Sequence, residues 1–213
     1  MNSTEHRFLA WSWLVLLAVM LAACATVREV DDVQTLFNEE KFDEVAAHQI
    51  KCKESDDGCN KVYLLKGEAC LDVAKLDCAV DNLNKGIALT KNWSAVGLDA
   101  ARFHGDLCEA LRDRRDEATS GAAATADFAK LKAAATDFAG AVPDHIGAVY
   151  WTQLIAFEEA KSSTGLAACS SLDSVALKLT QSAPKAAQNT RYAAPYEALV
   201  AGVTSERRNR QCQ

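Results

Sequence analysis

The chain has 213 residues, of which 49% are hydrophobic and 24% are charged, with a formal net charge of −6. This length suits one domain or two small ones and allows a sizeable core. Only three prolines and ten glycines argue against a collagen-like, low-complexity or turn-rich all-β chain. The acidic balance argues against a nucleic-acid-binding face. Alanine, a strong helix former, makes up about 18% of the residues, which favours helices.

The chain opens on a short polar segment followed by an apolar run of sixteen residues, 8–23. Such a run is short for a membrane-spanning helix but matches the hydrophobic core of a secretory signal peptide. Residues 1–23 are therefore predicted to be a leader that is removed on export. The alternatives are a plain secretory signal without lipid attachment and a short anchor helix.

The leader ends in Leu21-Ala22-Ala23-Cys24, where small residues precede a cysteine. With this box the chain resembles a bacterial lipoprotein, which is cleaved before a cysteine that then carries lipid. The resemblance implies acylation, including palmitate, at Cys24, a tether over residues 24–30, and the membrane as a partner through that lipid. Ala25 stands where an aspartate would retain the protein at the inner membrane, so the resemblance implies an outer-membrane lipoprotein facing the periplasm, and exposure on the cell surface is compatible with it.

Beyond the leader, apolar residues recur at spacings of three and four, which predicts helices without a convincing strand pattern. Pro143 and Pro195 stand near the expected starts of two helices, and Ser182-Ala183-Pro184 is expected to close another. Nine helices with short loops are expected, giving an all-α antiparallel stack. In chain order, the apolar residues that mark them are Val33–Phe37, Phe42–Ile50, Val62–Val73, Ala79–Leu89, Val96–Leu111, Phe128–Phe138, Ile146–Phe157, Leu166–Leu179 and Tyr196–Val203.

A sequence repeat lies in the first half of the chain, because Phe42-Asp43-Glu44-Val45 recurs 34 residues later as Leu76-Asp77-Cys78-Ala79. Gly67 precedes Ala79 by twelve residues, which places two small residues where two helices cross. Further positions of this pattern are held by Tyr63, Leu83 and Gly86. Over about residues 26–93 the chain therefore resembles the tetratricopeptide-repeat family, whose period is 34. A weaker third copy is suggested by Gly105–Cys108 and Ala118.

This resemblance implies antiparallel helix pairs stacked as a short tetratricopeptide-like α-solenoid over residues 31–119. A more irregular helical region, 120–213, is expected to pack on these repeats. An ordinary helical bundle is the alternative. If the family pattern carries over, the first helix of each pair lines a concave groove. In the better copy the groove residues would be Lys61, Leu64, Glu68, Leu71 and Asp72.

Seven cysteines remain after Cys24, and in an exported protein cysteines are first interpreted as disulfides. Short separations favour Cys52 with Cys59 and Cys70 with Cys78, and a Cys169–Cys212 bridge would hold the C-terminal tail. Cys108 would then be buried and reduced. No pair has the two-residue spacing of zinc ribbons or thioredoxin-like motifs, and few histidines remain, so no metal site is expected.

Catalytic motifs are not found, because there is no glycine-flanked nucleophilic serine, phosphate-binding loop or dinucleotide fingerprint. The chain is accordingly not expected to be an enzyme or to need a cofactor, and no catalytic residue is assigned. His104 is expected in the core or the groove, and Trp93 and Trp151 are expected to be packing anchors.

The leading expectation is a protein–protein adaptor or scaffold that uses the helical groove and is anchored in the cell envelope by lipid. Its envelope protein partners are not identified by the sequence, and nucleic acid is not expected among them. The alternative is a periplasmic small-molecule-binding component of a transport system. An enclosed aromatic pocket around Trp93, Phe103 and Trp151 would favour that alternative.

Overall fold

The computed structural model describes residues 26–212, and within this range the chain is helical with no β-strand. Two compact units divide it between Asp99 and Ala100. The first unit contains α1, residues 26–38, and then α2 Phe42–Ala47, α3 Cys59–Asp72, α4 Leu76–Leu89 and α5 Trp93–Val96. The second unit contains α6 Ala100–Asp116, α7 Gly121–Ala141, α8 Ile146–Ser162, α9 Gly165–Ala186 and α10 Ala193–Asn209. The all-α prediction is confirmed.

In the second unit each helix packs against the next one in the chain, and in the first unit α2 packs against α3 and α3 against α4. In the first unit, α3 lies between two partners. One side of α3 buries Val62, Leu65 and Ala69 with Val33 of α1 and Val45 of α2. The other side packs against α4. In the second unit, α6 also packs on α8, and α8 on α10, so alternate helices are neighbours as well. These contacts form a stack of helical hairpins.

The crossing of α3 and α4 depends on two glycines. A Cβ atom added to Gly67 would lie 2.8 Å from the backbone nitrogen of Leu83, and one added to Gly86 would lie 2.9 Å from that of Leu64. Side chains cannot relieve contacts with backbone atoms, so the helices approach this closely only because both positions lack a side chain. The predicted small residues at the crossing are thus present, but Gly67 faces Leu83 rather than Ala79.

The 34-residue period is visible in the backbone where α1 and α3 end. Glu40 and Ala74, 34 positions apart, have φ angles of 56° and 55°. The amide of Lys41 bonds to the carbonyl of Leu36, and the amide of Lys75 bonds to that of Cys70, at 3.0 and 2.8 Å. This is the Schellman ending of a helix. α10 also ends in a Schellman motif, so the motif alone does not indicate a repeat. The 34-residue separation between the two endings in the first unit is what agrees with the sequence repeat.

Several predicted boundaries are wrong. The expected helix through Val96–Leu111 is two helices, because Gly97 has a φ of +66° that ends α5. The helix from Phe42 ends at Ala47, so Ile50 lies outside it. The α9 helix continues past Leu179 and through Pro184 to Ala186. Near this proline, the Tyr196 hydroxyl of α10 donates to the carbonyl of Leu179 at 2.6 Å, which ties α10 to the last turns of α9.

The boundary predicted between residues 119 and 120 is also wrong, since it falls inside the second unit, between α6 and α7. The weak third copy of the repeat does not form a second helix pair. Gly105–Cys108 lies in α6, but Ala118 lies in the connection before α7 rather than in a second helix. α6 therefore belongs with the helices that follow it, because its buried face packs on α7 and α8.

Substituting alanine for Gly67 or Gly86 is expected to lower the free energy of unfolding of the first unit by about 1–3 kcal/mol through overpacking. Gly140 in α7 is the matched control, because a Cβ there meets nothing within 4 Å. Alanine at Gly140 should instead stabilise its helix by about 0.5–1 kcal/mol. Urea unfolding monitored by circular dichroism would measure each variant, and an unchanged midpoint for both Gly67→Ala and Gly86→Ala would contradict the packing argument.

Candidate functional site

The three predicted disulfide pairs are confirmed. Cys52 bonds to Cys59 across the turn before α3, and Cys70 at the end of α3 bonds to Cys78 at the start of α4. Cys169 in the first turns of α9 bonds to Cys212 beyond α10. Cys108 is free and buried in α6, as expected. Burial raises the pKa of its thiol, so this cysteine is a neutral core residue rather than a reactive one.

The predicted leader and Cys24 lie outside the described residues. Within residues 26–212, no helix combines the length and apolar character needed to cross a membrane. The tether predicted over residues 24–30 overlaps α1, which is helical from residue 26. Buried Thr26 and Glu29 hold this helix, since Thr26 bonds to Asp56 and Glu29 accepts hydrogen bonds from His48 and from the amide of Lys51. The tether is therefore wrong for residues 26–30, which belong to the packed body.

Four of the five predicted groove residues lie on a side of α3 that is at least partly exposed and that differs from the side buried against α1 and α2. Lys61, Glu68 and Asp72 are spaced by seven and four residues, so they fall on one side of the helix, and Leu71 borders them. Lys61, Glu68 and Leu71 are half-buried and Asp72 is exposed.

The fifth residue, Leu64, does not belong to this face. It is completely buried against Gly86 of α4 and forms part of the hairpin core. We call Lys61, Glu68, Leu71 and Asp72 the α3 face.

The aromatic residues named for a ligand pocket belong to two different units. Phe103 and Trp151 are buried in the packed interior of the second unit. Trp93 is half-buried in the first unit. A cleft of about 370 Å³ lies elsewhere, between the end of α9 and α10, and its walls include Ala183, Ala187, Tyr196 and Val200. Among the described residues, no group of three or more histidine, cysteine, aspartate or glutamate side chains is arranged to hold a metal.

The second unit contains a buried polar cluster that sequence reasoning missed. Asp106 of α6 is 4% exposed and pairs with Arg191, whose guanidinium nitrogen Nη2 lies 2.7 Å from Oδ1. The same nitrogen lies 2.8 Å from Glu109 Oε2, one turn further along α6. Arg191 precedes α10, and it is 85 residues from Asp106, so the partners cannot be matched by local spacing. The available signal was an aspartate on the apolar face of α6, between buried Phe103 and Ala110.

Tyr192 inserts beside this ion pair into a slot formed by two glycines. A Cβ on Gly105 of α6 would lie 2.5 Å from the Tyr192 hydroxyl oxygen, and one on Gly147 of α8 would lie 2.6 Å from the ring. Tyr192 also packs against Tyr150, with ring centroids 5.5 Å apart. The side chain of Asn189 accepts hydrogen bonds from the amides of Arg191 and Tyr192 at 3.1 Å, which shapes the turn. One short turn thus contacts both α6 and α8.

Burial dominates the electrostatics of the cluster. It raises the pKa of Asp106 to about 6, although Arg191 beside it works in the opposite direction. Burial also raises the pKa of Tyr192 to about 12, which keeps the phenol neutral. His104, 5% exposed and stacked on Phe138 with centroids 5.7 Å apart, is a core histidine whose pKa is lowered by burial. The cluster can take up a proton, but no nucleophile is paired with a base in it.

The structure therefore presents two candidate sites, the α3 face in the first unit and the Asp106–Arg191 cluster in the second. The residues of the first are half-buried or exposed, and Asp106 and Tyr192 of the second are buried. Comparisons with protein-family models, with curated proteins and with solved structures found no match to this chain.

Proposed function

We propose that this chain is a lipid-anchored protein of the bacterial outer membrane that binds a protein partner through the α3 face. The address rests on the Leu21–Cys24 box after an apolar leader. Three disulfides within the described residues support it, because such bonds persist in the oxidising periplasm and are rare in the cytoplasm.

The observation that carries the binding function is the arrangement of α3. It packs against α1 and α2 on one side and against α4 on another, while a lysine, two carboxylates and a leucine stay at least partly exposed. The hairpin is held rigid by Cys70–Cys78 and by the glycine crossing. A rigid helix with mixed charges around an apolar residue suits recognition of a peptide or protein surface. The tetratricopeptide-like arrangement belongs to the same proposal, and the 34-residue backbone period supports it.

The anchoring part is tested by replacing Cys24 with serine in the full chain. The wild-type protein should incorporate labelled palmitate and sediment with outer membranes, whereas Cys24→Ser should incorporate none and appear in the soluble periplasmic fraction. Cys108→Ser is the matched control, because this buried thiol has no role in anchoring. A Cys24→Ser protein that still sediments entirely with membranes would contradict lipid anchoring.

The binding part is tested by placing a photo-cross-linking amino acid at Leu71 in cells. A discrete cross-linked protein band is expected at Leu71 and not at Asn84, an exposed residue of α4 in the same hairpin. Reversing two charges with Lys61→Glu and Asp72→Lys should reduce that band at least several-fold without lowering the melting temperature. Equal cross-linking at Leu71 and Asn84, or a band that the charge reversals leave unchanged, would overturn the assignment of the α3 face. A small molecule that co-purifies without any protein would favour a transport component instead.

A further inference from the structure

The turn between α9 and α10, residues 187–192, contacts α6 through Arg191 and Tyr192. Arg191 contacts two carboxylates of α6, one buried on Asp106 and one more exposed on Glu109. Its side chain is 37% exposed, so it spans the boundary between the interior and solvent. Tyr192, next in the chain, is held between α6 and α8. This turn therefore bonds to α6 and packs against α8, two helices that lie far from it in the sequence.

The two oxygens of Asp106 are not equivalent. Oδ1 accepts from Arg191, whereas Oδ2 is buried with no hydrogen-bond partner among the described residues. A buried carboxylate oxygen without a donor is costly when the group is charged, and the cost is relieved if that oxygen carries a proton. Arg191 does not donate to Oδ2, because its Nη2 nitrogen lies against Oδ1 of Asp106 and against Glu109.

We propose that the Asp106–Arg191 ion pair is a proton-sensitive latch, in which one proton taken up at Oδ2 of Asp106 weakens the hold of α6 on the turn at residues 187–192. Proton uptake changes the pair from a neutral sum of charges to a net charge of +1. The strong charged hydrogen bond becomes an ordinary one through Oδ1, and Glu109 remains the only carboxylate of the clamp that is charged. The turn then loosens while the helices stay folded.

The groups around Asp106 set the pH at which this occurs. Burial favours the neutral form and dominates, while Arg191 and Arg102 favour the charged form and Glu109 again favours the neutral one. The titratable and charged groups that surround the pair are Arg102, Cys108 and Glu109 of α6, Tyr192 of the turn, Asp137 of α7 through Cys108, and His145 and Tyr150 near α8. Cys108 and Tyr192 are neutral throughout the relevant range because their pKa values are raised by burial.

The test is a nuclear magnetic resonance titration of the full chain from pH 7.5 to 4.5. The side-chain carboxyl carbon of Asp106 should titrate with a midpoint near 6. The Nε–H signal of Arg191 and the exchange protection of the Arg191 and Tyr192 amides, corrected for intrinsic exchange, should change with the same midpoint. Protection should fall several-fold at the acidic end, while amides in the middle of α6 keep theirs.

Two variants separate the latch from general acid sensitivity. Asp106→Asn should show the loosened turn at every pH, and Glu109→Gln should keep the transition with a slightly lower midpoint, since Glu109 favours the neutral form of Asp106. If Asp106→Asn fails to fold, the wild-type titration alone decides the matter. An Asp106 midpoint below 4.5, Arg191 signals that do not follow Asp106, or the same transition in Asp106→Asn would each overturn the proposal.

Discussion

Removing the Cys169–Cys212 disulfide is expected to lower the free energy of unfolding of the second unit by about 4 kcal/mol. The bond closes a loop with a sequence separation of 43, the longest of the three, and so restricts the unfolded chain most. It also holds residue 212 against the start of α9, beside the contacts that Arg210 makes to the carbonyls of Lys161 and Ser163. The second unit should therefore lose both chain restriction and the attachment of its last helix.

The measurement is urea unfolding of Cys169→Ala/Cys212→Ala against the wild type at pH 7 without reductant. Cys70→Ala/Cys78→Ala is the matched comparison, because its separation of 8 gives about 2.5 kcal/mol in the same entropy relation, and this loss should fall on the first unit. Cys108→Ala controls for the loss of a buried thiol without a bond. A larger loss from the short bridge than from the long one would contradict the loop-length argument.

Acidification from pH 7 to 4 is expected to stabilise the wild type relative to Asp106→Asn by up to about 3 kcal/mol. The pKa of Asp106 is raised by burial to about 6, above its ordinary value of 3.8. The folded protein therefore binds this proton more tightly than the unfolded chain does. Its contribution to stability is complete below about pH 3.8 and is lost as the pH rises through about 6. Protonation of Asp106 in acid thus weakens its hold on the turn at residues 187–192. The same protonation raises the free energy of unfolding, because the folded state binds the proton more tightly.

Urea unfolding of the two proteins at half-unit steps between pH 4 and 7.5 would measure the difference. Comparison with Asp106→Asn cancels the other carboxylates, whose loss of charge affects both proteins alike. Glu109→Gln is the control on the same helix, since it removes the half-buried carboxylate of the clamp and leaves the buried Asp106 in place. A difference that stays flat, or that grows as the pH rises, would contradict a raised pKa at Asp106.

The parts of the fold that local patterns predict are those formed by residues close in the chain. Cys52–Cys59 and Cys70–Cys78 could be paired from their short separation and the turn between them. The repeat spacing also predicts Gly67 at the helix crossing, whereas its predicted partner Ala79 is replaced there by Leu83, and Gly86 faces Leu64. Leu64 was misplaced because its helix has two covered sides, and spacing alone does not tell which apolar residue turns towards α4.

The parts that local patterns did not predict depend on distant partners or on single backbone angles. The break at Gly97 follows from one left-handed residue, and a glycine in an apolar pattern is compatible with a continuous helix. The end of α9 was predicted at Pro184, whereas the helix passes through it with the Tyr196 hydroxyl bonded to a nearby carbonyl. The domain boundary was misplaced because α6 matches the end of a repeat in sequence but packs on α7 and α8.

By itself, the sequence determined the helical class and the pairing of the two local disulfides, Cys52–Cys59 and Cys70–Cys78. These follow from composition, periodicity and short separations, which act within one or two turns of the chain. Only the tertiary structure decided which apolar residue of α3 packs against α4 and that Asp106, Arg191 and Tyr192 meet. Burial and ion pairing of residues 85 positions apart depend on how helices pack, and no spacing in the chain records that packing.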